Sequence, residues 1–345
     1  MKKTIRNYEK PIIAITMGDP AGIGPEICIK AVASGKIGFC HPVIVGSGDV
    51  LANLMNLLKM NLSTNTIENV EETEFKNSVV NVLDVGHIQI NKLMPGKISA
   101  MCGVASINYV REAVTLAGNG KADAIVTAPI NKEAVHKAGL KYRGHTELLS
   151  EIFNTRVVMI FVRGNLAIAV VTRHIPISQV SRAITKKGVV ETIRIIYENR
   201  KLLGIVEPSF AILSLNPHGG EGGVLGEDEK KKIIPAIREA GKLGIKVEGP
   251  FPADGFFGLK REKDFDIIIA MYHDQGLIPY KSRAFGHGVN VTLGLPIIRT
   301  SVDHGTAYDI AGKGVANPSG LIAAIRFASL MAKRRAQYKT RLMWR

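Results

Sequence analysis

The organised part of the chain opens with PIIAITMGDPAGIGPEICIKAVAS, residues 11 to 34. An apolar run, a glycine-rich turn and an amphipathic segment read as strand, turn and helix, with Pro25 in the first helical turn and Glu26 near its positive end. The same order recurs in HPVIVGSGDVLANLMNLL (41 to 58). VVNVLDV (79 to 85) reads as a further strand, and MCGVASINYVREAVTLAGNGKADAIVTAPINKEAVHKAG (101 to 139) as helix, strand and helix. Successive parallel strands need helical crossovers, and those helices cover both faces of the sheet. The alternation therefore predicts an α/β fold with mainly parallel sheets and flanking helices. A length of 345 residues exceeds what one compact core usually holds, so two lobes are expected. With no repeat or low-complexity linker to mark a border, topology assigns 1–142 plus 300–345 to the first lobe and 143–299 to the second.

The turn GDPAGIG fits neither the dinucleotide fingerprint nor the Walker A spacing. Two readings stay open for it: a backbone cradle for a small anion, or a purely structural turn.

Polar residues concentrate between Ala270 and Pro318. DIIIAMY (266 to 272) reads as a buried strand, which puts His273 and Asp274 at its C-terminal end, where open α/β sheets bind ligands. Lys281, Asn290 and Arg299 follow at nine-residue intervals through a loop and a second strand pattern. An ammonium, an amide and a guanidinium suit a small phosphorylated or carboxylated substrate. Two more strand patterns end in histidine: LAIAVVTRHIP at His174 and FAILSLNPH at His218. Three imidazoles beyond three strand ends can face one crevice and leave open positions on a divalent ion such as zinc, cobalt or nickel. In GHTELLSEIF, His145 and Thr146 precede an amphipathic helix with Glu147 in its first turn, and Thr146 is either its N-cap or a ligand contact.

Composition narrows the alternatives. The formal charge of +15 is spread along the chain, and its one cluster, KRRAQYKTRLMWR, reads as a solvated tail. Without aromatic platforms or a basic stripe, nucleic-acid binding is not expected. Cys28, Cys40 and Cys102 show neither metal nor redox spacing and suit packing in a reducing compartment. MKKTIRNYEK begins like a signal peptide, but the apolar segment after it breaks at once, and no run approaches the length of a membrane span. A cytoplasmic location is expected.

MGDPAGIGPE, GHTE, TRHIP, NPHGGEGG, GPFPADGFF, YHDQGLIPYK and GVNVTLGLPIIRTSVDHGTA together resemble the 4-hydroxythreonine-4-phosphate dehydrogenase family of pyridoxal phosphate biosynthesis, from about residue 11 to about 325. The resemblance implies a fold like the isocitrate and isopropylmalate dehydrogenases, and a homodimer with shared active sites. It implies His174, His218 and His273 as ligands of one divalent metal (zinc, magnesium, cobalt or manganese), with His145, Thr146, Lys281, Asn290 and Arg299 holding the substrate. Lys281, Asp254 and Asp274 are its candidates for catalytic work, with orientation of the metal histidines favoured for the two aspartates. HGTAYDIAGKGVANP (304 to 318) is similar to the cofactor loop of isopropylmalate dehydrogenases, which implies cofactor contacts at Gly305, Thr306, Asp309 and Asn317. A carboxylate facing the ribose favours NAD over NADP. The implied reaction oxidises the 3-hydroxyl of 4-phosphooxy-threonine to a 3-keto acid that loses carbon dioxide. KSRAFGH, Tyr308–Asp309 and Asn317–Pro318 are features associated more with relatives acting on 4-phospho-threonate or 4-phospho-erythronate. A metal-dependent hydrolase of phosphorylated acids is the competing reading, but it leaves the 304–318 loop unexplained.

Overall fold

The computed structural model describes residues 10–343 except 77, 87, 143 and 285. The leader-like residues 1–9 and the last two residues of the basic tail lie outside the described residues. In chain order the strands are β1 (Ile12–Thr16), β2 (His41–Gly46), β3 (Ser63–Ile67), β4 (Val79–Asp84), β5 (Ala124–Thr127), β6 (Val158–Arg163), β7 (Leu166–Val170), β8 (Ser209–Leu213), β9 (Lys246–Phe251), β10 (Ile267–Ala270), β11 (Val289–Leu293) and β12 (Arg299–Val302). They fall into two compact units, one running to Phe153 and resuming at Pro296, the other spanning Asn154–Leu295. The helix His145–Ile152 and Arg299 therefore belong to the first unit, where topology alone had assigned both to the second.

In the first unit the strands lie in the order β3-β4-β2-β1-β5-β12, and every pair is parallel. All residues of β1 and β5 are buried, as a central parallel strand covered on both faces requires. Burial of an isoleucine such as Ile13 or Ile15 contributes about 2 kcal/mol each. The helix Ala100–Gly118 starts at Ser99, whose side chain accepts from Cys102 N at 3.2 Å. The three cysteines are free and buried, consistent with packing.

The second unit is mixed. β7, β10, β8 and β9 are parallel neighbours, whereas β6 pairs antiparallel with both β7 and β11. Its core gathers Phe161, Ile168, Phe256, Ile268 and Leu277 around Tyr280. The Tyr280 hydroxyl donates to Val162 O at 3.0 Å and accepts from Val289 N at 3.1 Å, so its polar tip is satisfied inside the apolar cluster.

His273 does not open a loop. It starts the helix His273–Ala284, which carries Lys281, while Asn290 lies on β11 and Arg299 on β12. Gly276 and Pro279 had disguised the helix. A Cβ at Gly276 would stand 3.0 Å from both the Ala270 Cβ and the Ile168 Cγ2, so glycine is what lets the helix lie close on β7 and β10.

Candidate active site

β7 and β10 are adjacent parallel strands, with Ile168 opposite Ile268, so the segments leaving their C-terminal ends emerge side by side. His174 and His273 follow from those ends, and their ring centroids are 5.8 Å apart. They line a cavity of about 250 Å³ together with Arg173, Tyr272 and Asp274. Nδ1 of His273 is 2.6 Å from the Asp274 carboxylate, although both side chains are substantially exposed. With Nδ1 donating to that carboxylate, the Nε2 lone pair is left available to a ligand, the arrangement typical of metal-binding imidazoles.

His218 does not join them. Among the described residues no three His, Cys, Asp or Glu side chains come together in a metal-binding group. His218 is exposed on the Pro217–Gly223 segment, a left-handed run with φ of 52° at His218 and 41° at Glu221. Such values cost a non-glycine residue of order 1 kcal/mol or more. The run is anchored by buried Glu229, whose Oε1 accepts from Leu215 N and Asn216 N at 2.8 Å each and whose Oε2 accepts from Asn216 Nδ2 at 2.9 Å.

A second polar group lies in the first unit. Arg299 is only 2% exposed, and its Nη2 donates to Thr127 Oγ1 at 2.7 Å. Burial pulls its pKa down to about 9, with the nearby Glu147 carboxylate opposing the fall, so the guanidinium stays charged near neutrality. His145 sits close enough to feel that charge. Burial first, and Arg299 second, drive its pKa well below the usual 6.5, so the imidazole is neutral. Its Nε2 and Glu147 Oε2 are enclosed without hydrogen-bond partners. Thr146 is buried in the first turn, and the N-cap is Gly144, so Thr146 is not the cap. His145, Glu147 and Arg299 thus make a buried polar group in which the imidazole Nε2 and a carboxylate oxygen lack partners. In the second unit Asn290 is buried with Oδ1 lacking a partner, Lys281 is exposed on its helix, and Asp254 is exposed in the first turn of Ala253–Gly258.

The 304–318 loop belongs to the first unit. Asp309 is exposed with no hydrogen-bond partner among the described residues. Gly305 borders open space, and Thr306 lies against Gly22. Asn317 is exposed, and its Oδ1 accepts from Ser319 N at 2.9 Å at the start of the helix Ser319–Met343. That bond uses the amide oxygen and leaves the Nδ2 donors, so support of the helix start and ligand contact are compatible.

The family described as pyridoxal phosphate biosynthetic protein PdxA matches residues 38–328. A protein of Desulforapulum autotrophicum named 4-hydroxythreonine-4-phosphate dehydrogenase is 43% identical over 94% of this chain and 96% of its own. The chain belongs to the PdxA family. Another relative, from Clostridium botulinum (strain Hall) and provisionally named D-threonate 4-phosphate dehydrogenase, is 39% identical over 93% of this chain and 96% of its own. The crystal structure of a Klebsiella pneumoniae 4-hydroxythreonine-4-phosphate dehydrogenase superposes with a TM-score of 0.85 at 38% identity, covering 94% of this chain and 100% of that one.

In this PdxA-family chain the hydrogen bonds of the glycine-rich turn support its structural reading. Four of its N–H donors are used internally: Asp19 N on Pro129 O, Ala21 N on Asp19 Oδ1, Gly22 N on Asp19 O and Ile23 N on Thr306 O. A Cβ at Gly24 would lie 2.1 Å from Met17 O, which accounts for that glycine structurally. Sequence reasoning passed over Asp19, Lys30 and Glu229 and read Glu147 only as a charge in a first helical turn. Lone charges within ordinary helix and loop patterns carried no signal until the fold paired them.

Proposed function

We propose that the chain is an NAD-dependent, divalent-metal-dependent dehydrogenase of 4-hydroxythreonine 4-phosphate. It oxidises the 3-hydroxyl to a ketone with loss of a proton and transfer of hydride to the nicotinamide. The resulting 3-keto acid loses carbon dioxide to give 3-amino-2-oxopropyl phosphate. The observation that carries this reading is the His174–His273 pair with its carboxylate lock, in a chain 43% identical to a relative of that name.

The donor set fits a borderline metal, because two neutral imidazoles suit zinc or cobalt and leave positions open. When bound, the ion supplies Lewis acidity toward the substrate oxygen, and the nicotinamide accepts the hydride. Asp274 holds His273 in the ligating tautomer. Lys281 is the candidate proton carrier, and Asp254 an exposed carboxylate for proton transfer or orientation. Within the first unit, Arg299 and His145 are the candidates to bind the substrate's anionic end, the first by charge and the second through an enclosed ring nitrogen, with Thr146 beside them; within the second, Asn290 is a candidate for orienting substrate. The adenosine half of NAD takes Asp309 at its ribose and Asn317 at its adenine, beside Gly305 and Thr306. The exposed acceptor at Asp309 and the spare donors at Asn317 fit those partners.

The third imidazole comes from a second copy. His218 stands apart from the other two within one chain, and an exposed ligand on a strained loop is suited to reach a neighbouring subunit. This reading includes a homodimer with shared active sites. No helix among the described residues is long and apolar enough to cross a membrane, and three buried free cysteines suit the cytoplasm.

A second reading is the same chemistry on 4-phospho-D-threonate, favoured by the name of the 39% identical relative, or on 4-phospho-D-erythronate. Steady-state NAD and NADP reduction with the three phosphorylated acids decides it, through the ratio of their kcat/KM values. Release of inorganic phosphate without nicotinamide reduction would replace the dehydrogenase by a hydrolase.

A further inference from the structure

The 304–317 loop has positive φ at Ala307 (42°), Gly312 (75°) and Gly314 (73°), and its own turn bonds, such as Ile310 N on Ala307 O and Lys313 N on Ile310 O, hold its middle but not its two ends. The first strand-turn-helix does so at both ends of the loop. Glu26, 1% exposed, accepts through Oε1 from Ala316 N at 2.7 Å and from Lys30 Nζ at 2.7 Å, and through Oε2 from Gly314 N at 3.2 Å. Lys30 Nζ also donates to Gly314 O at 2.8 Å and Ala316 O at 2.9 Å. All three ammonium donors are thereby used, and the backbone at 314 and 316 is gripped on both its N–H and C=O sides. At the loop's start, the Tyr308 hydroxyl donates to Asp19 Oδ2 at 2.6 Å, and Gly22 leaves room for Thr306, whose Cβ and O would stand 3.0 Å from a Cβ there.

We propose that Glu26 and Lys30, seconded by Asp19 and Tyr308, are positioning residues for the nicotinamide cofactor: they shape the 304–317 backbone so that Asp309 and Asn317 meet its adenosine half. The inference rests on the reading of this loop as the cofactor's. Each clamp acts next to a proposed contact, Tyr308 beside Asp309 and Ala316 beside Asn317. A buried ion pair adds little net stability compared with apolar packing, so its use here is better matched to fixing one conformation. Holding the loop in its binding shape before the ligand arrives lowers the ordering cost of binding.

The test uses the full-length, metal-loaded protein. NAD affinity is measured by calorimetry for Glu26→Gln, Lys30→Met and Tyr308→Phe, beside Asp309→Ala and the parent. Cobalt affinity and the thermal midpoint are recorded for each. The clamp predicts that Glu26→Gln and Lys30→Met weaken NAD roughly tenfold while cobalt binding holds, and that KM for NAD rises more than kcat falls. Tyr308→Phe, which removes one hydroxyl and keeps the ring, gives a smaller loss in the same direction and carries the test if a Glu26 variant does not fold. If the folded clamp variants bind NAD within about twofold of the parent while Asp309→Ala binds weakly, the clamp is wrong and the cofactor loop stands. If Asp309→Ala is also unaffected, the loop is not the cofactor's and both ideas fall. Parallel loss of NAD and cobalt binding means general damage and overturns the positioning role.

Discussion

His145 makes the sharpest pH prediction. Its folded-state pKa lies well below the usual 6.5, first because the ring is buried and second because Arg299 repels a second positive charge. In the unfolded chain the same imidazole titrates near 6.5. Above that pH neither state binds the proton, and His145 adds no pH dependence. Below it the unfolded chain takes up a proton that the folded chain refuses, so stability falls as pH falls. The slope approaches one proton, about 1.4 kcal/mol per pH unit, until the folded pKa is reached. His145→Gln keeps a neutral hydrogen-bonding side chain and cannot titrate. Urea unfolding at about pH 7.5 and 5.5, for both proteins without substrate or cofactor, isolates the contribution as a difference of differences, which removes the carboxylates common to both. The parent should lose about 1 kcal/mol more than the variant on acidification. Equal losses would show that His145 is not held neutral and would refute the enclosed-imidazole account.

Exhaustive chelation should abolish turnover, and added zinc or cobalt should restore it, whereas full activity after chelation removes the metal from the reaction. Asp309→Ala should raise KM for NAD with little change in kcat and narrow the preference over NADP, as steady-state kinetics with both cofactors will show. Gly220→Ala should destabilise the protein by about 1–3 kcal/mol in denaturant melts, because the new Cβ would lie 2.7 Å from Glu229 Oε2 at a φ of 77°. Mixing inactive His218→Ala with inactive His273→Ala subunits under exchange should restore activity if a second copy completes the site. Equal mixing makes about half the dimers mixed, each with one intact site of two, so recovery should reach about a quarter of the parental rate. No recovery despite proven exchange would place both ligands in one chain's site.

Strand and helix periodicity made the parallel sheet of the first unit legible, because β1, β2, β4 and β5 are short apolar runs between helix patterns. The antiparallel pairing of β6 with β7 and β11 was not, since an apolar run such as VMIFVR does not announce its direction. The strand-end rule placed His174 and His273 together because β7 and β10 are neighbours, a fact of topology that spacing along the chain does not contain. β8 also borders β10, yet the left-handed run after it leaves His218 exposed and outside any metal-binding group among the described residues. Lys281, Asn290 and Arg299 illustrate the opposite limit, an even spacing that falls across a helix and two strands. Glu26 was read as a helix-end charge, and its grip on residues 314 and 316 depends on contacts far along the chain.

The metal half-site has a physical consequence on the proposed shared arrangement. Two imidazoles alone bind a divalent ion weakly, and His218 is exposed and held at φ 52°. If the third imidazole belongs to another subunit, ion affinity and association are linked functions: the ion strengthens the dimer by as much as the dimer strengthens ion binding. Apparent metal affinity should then depend on protein concentration, and the same linkage would keep an isolated chain from carrying out metal-assisted chemistry. The strain at His218 is consistent with that division, because a loop preset for a neighbour need not relax against its own subunit.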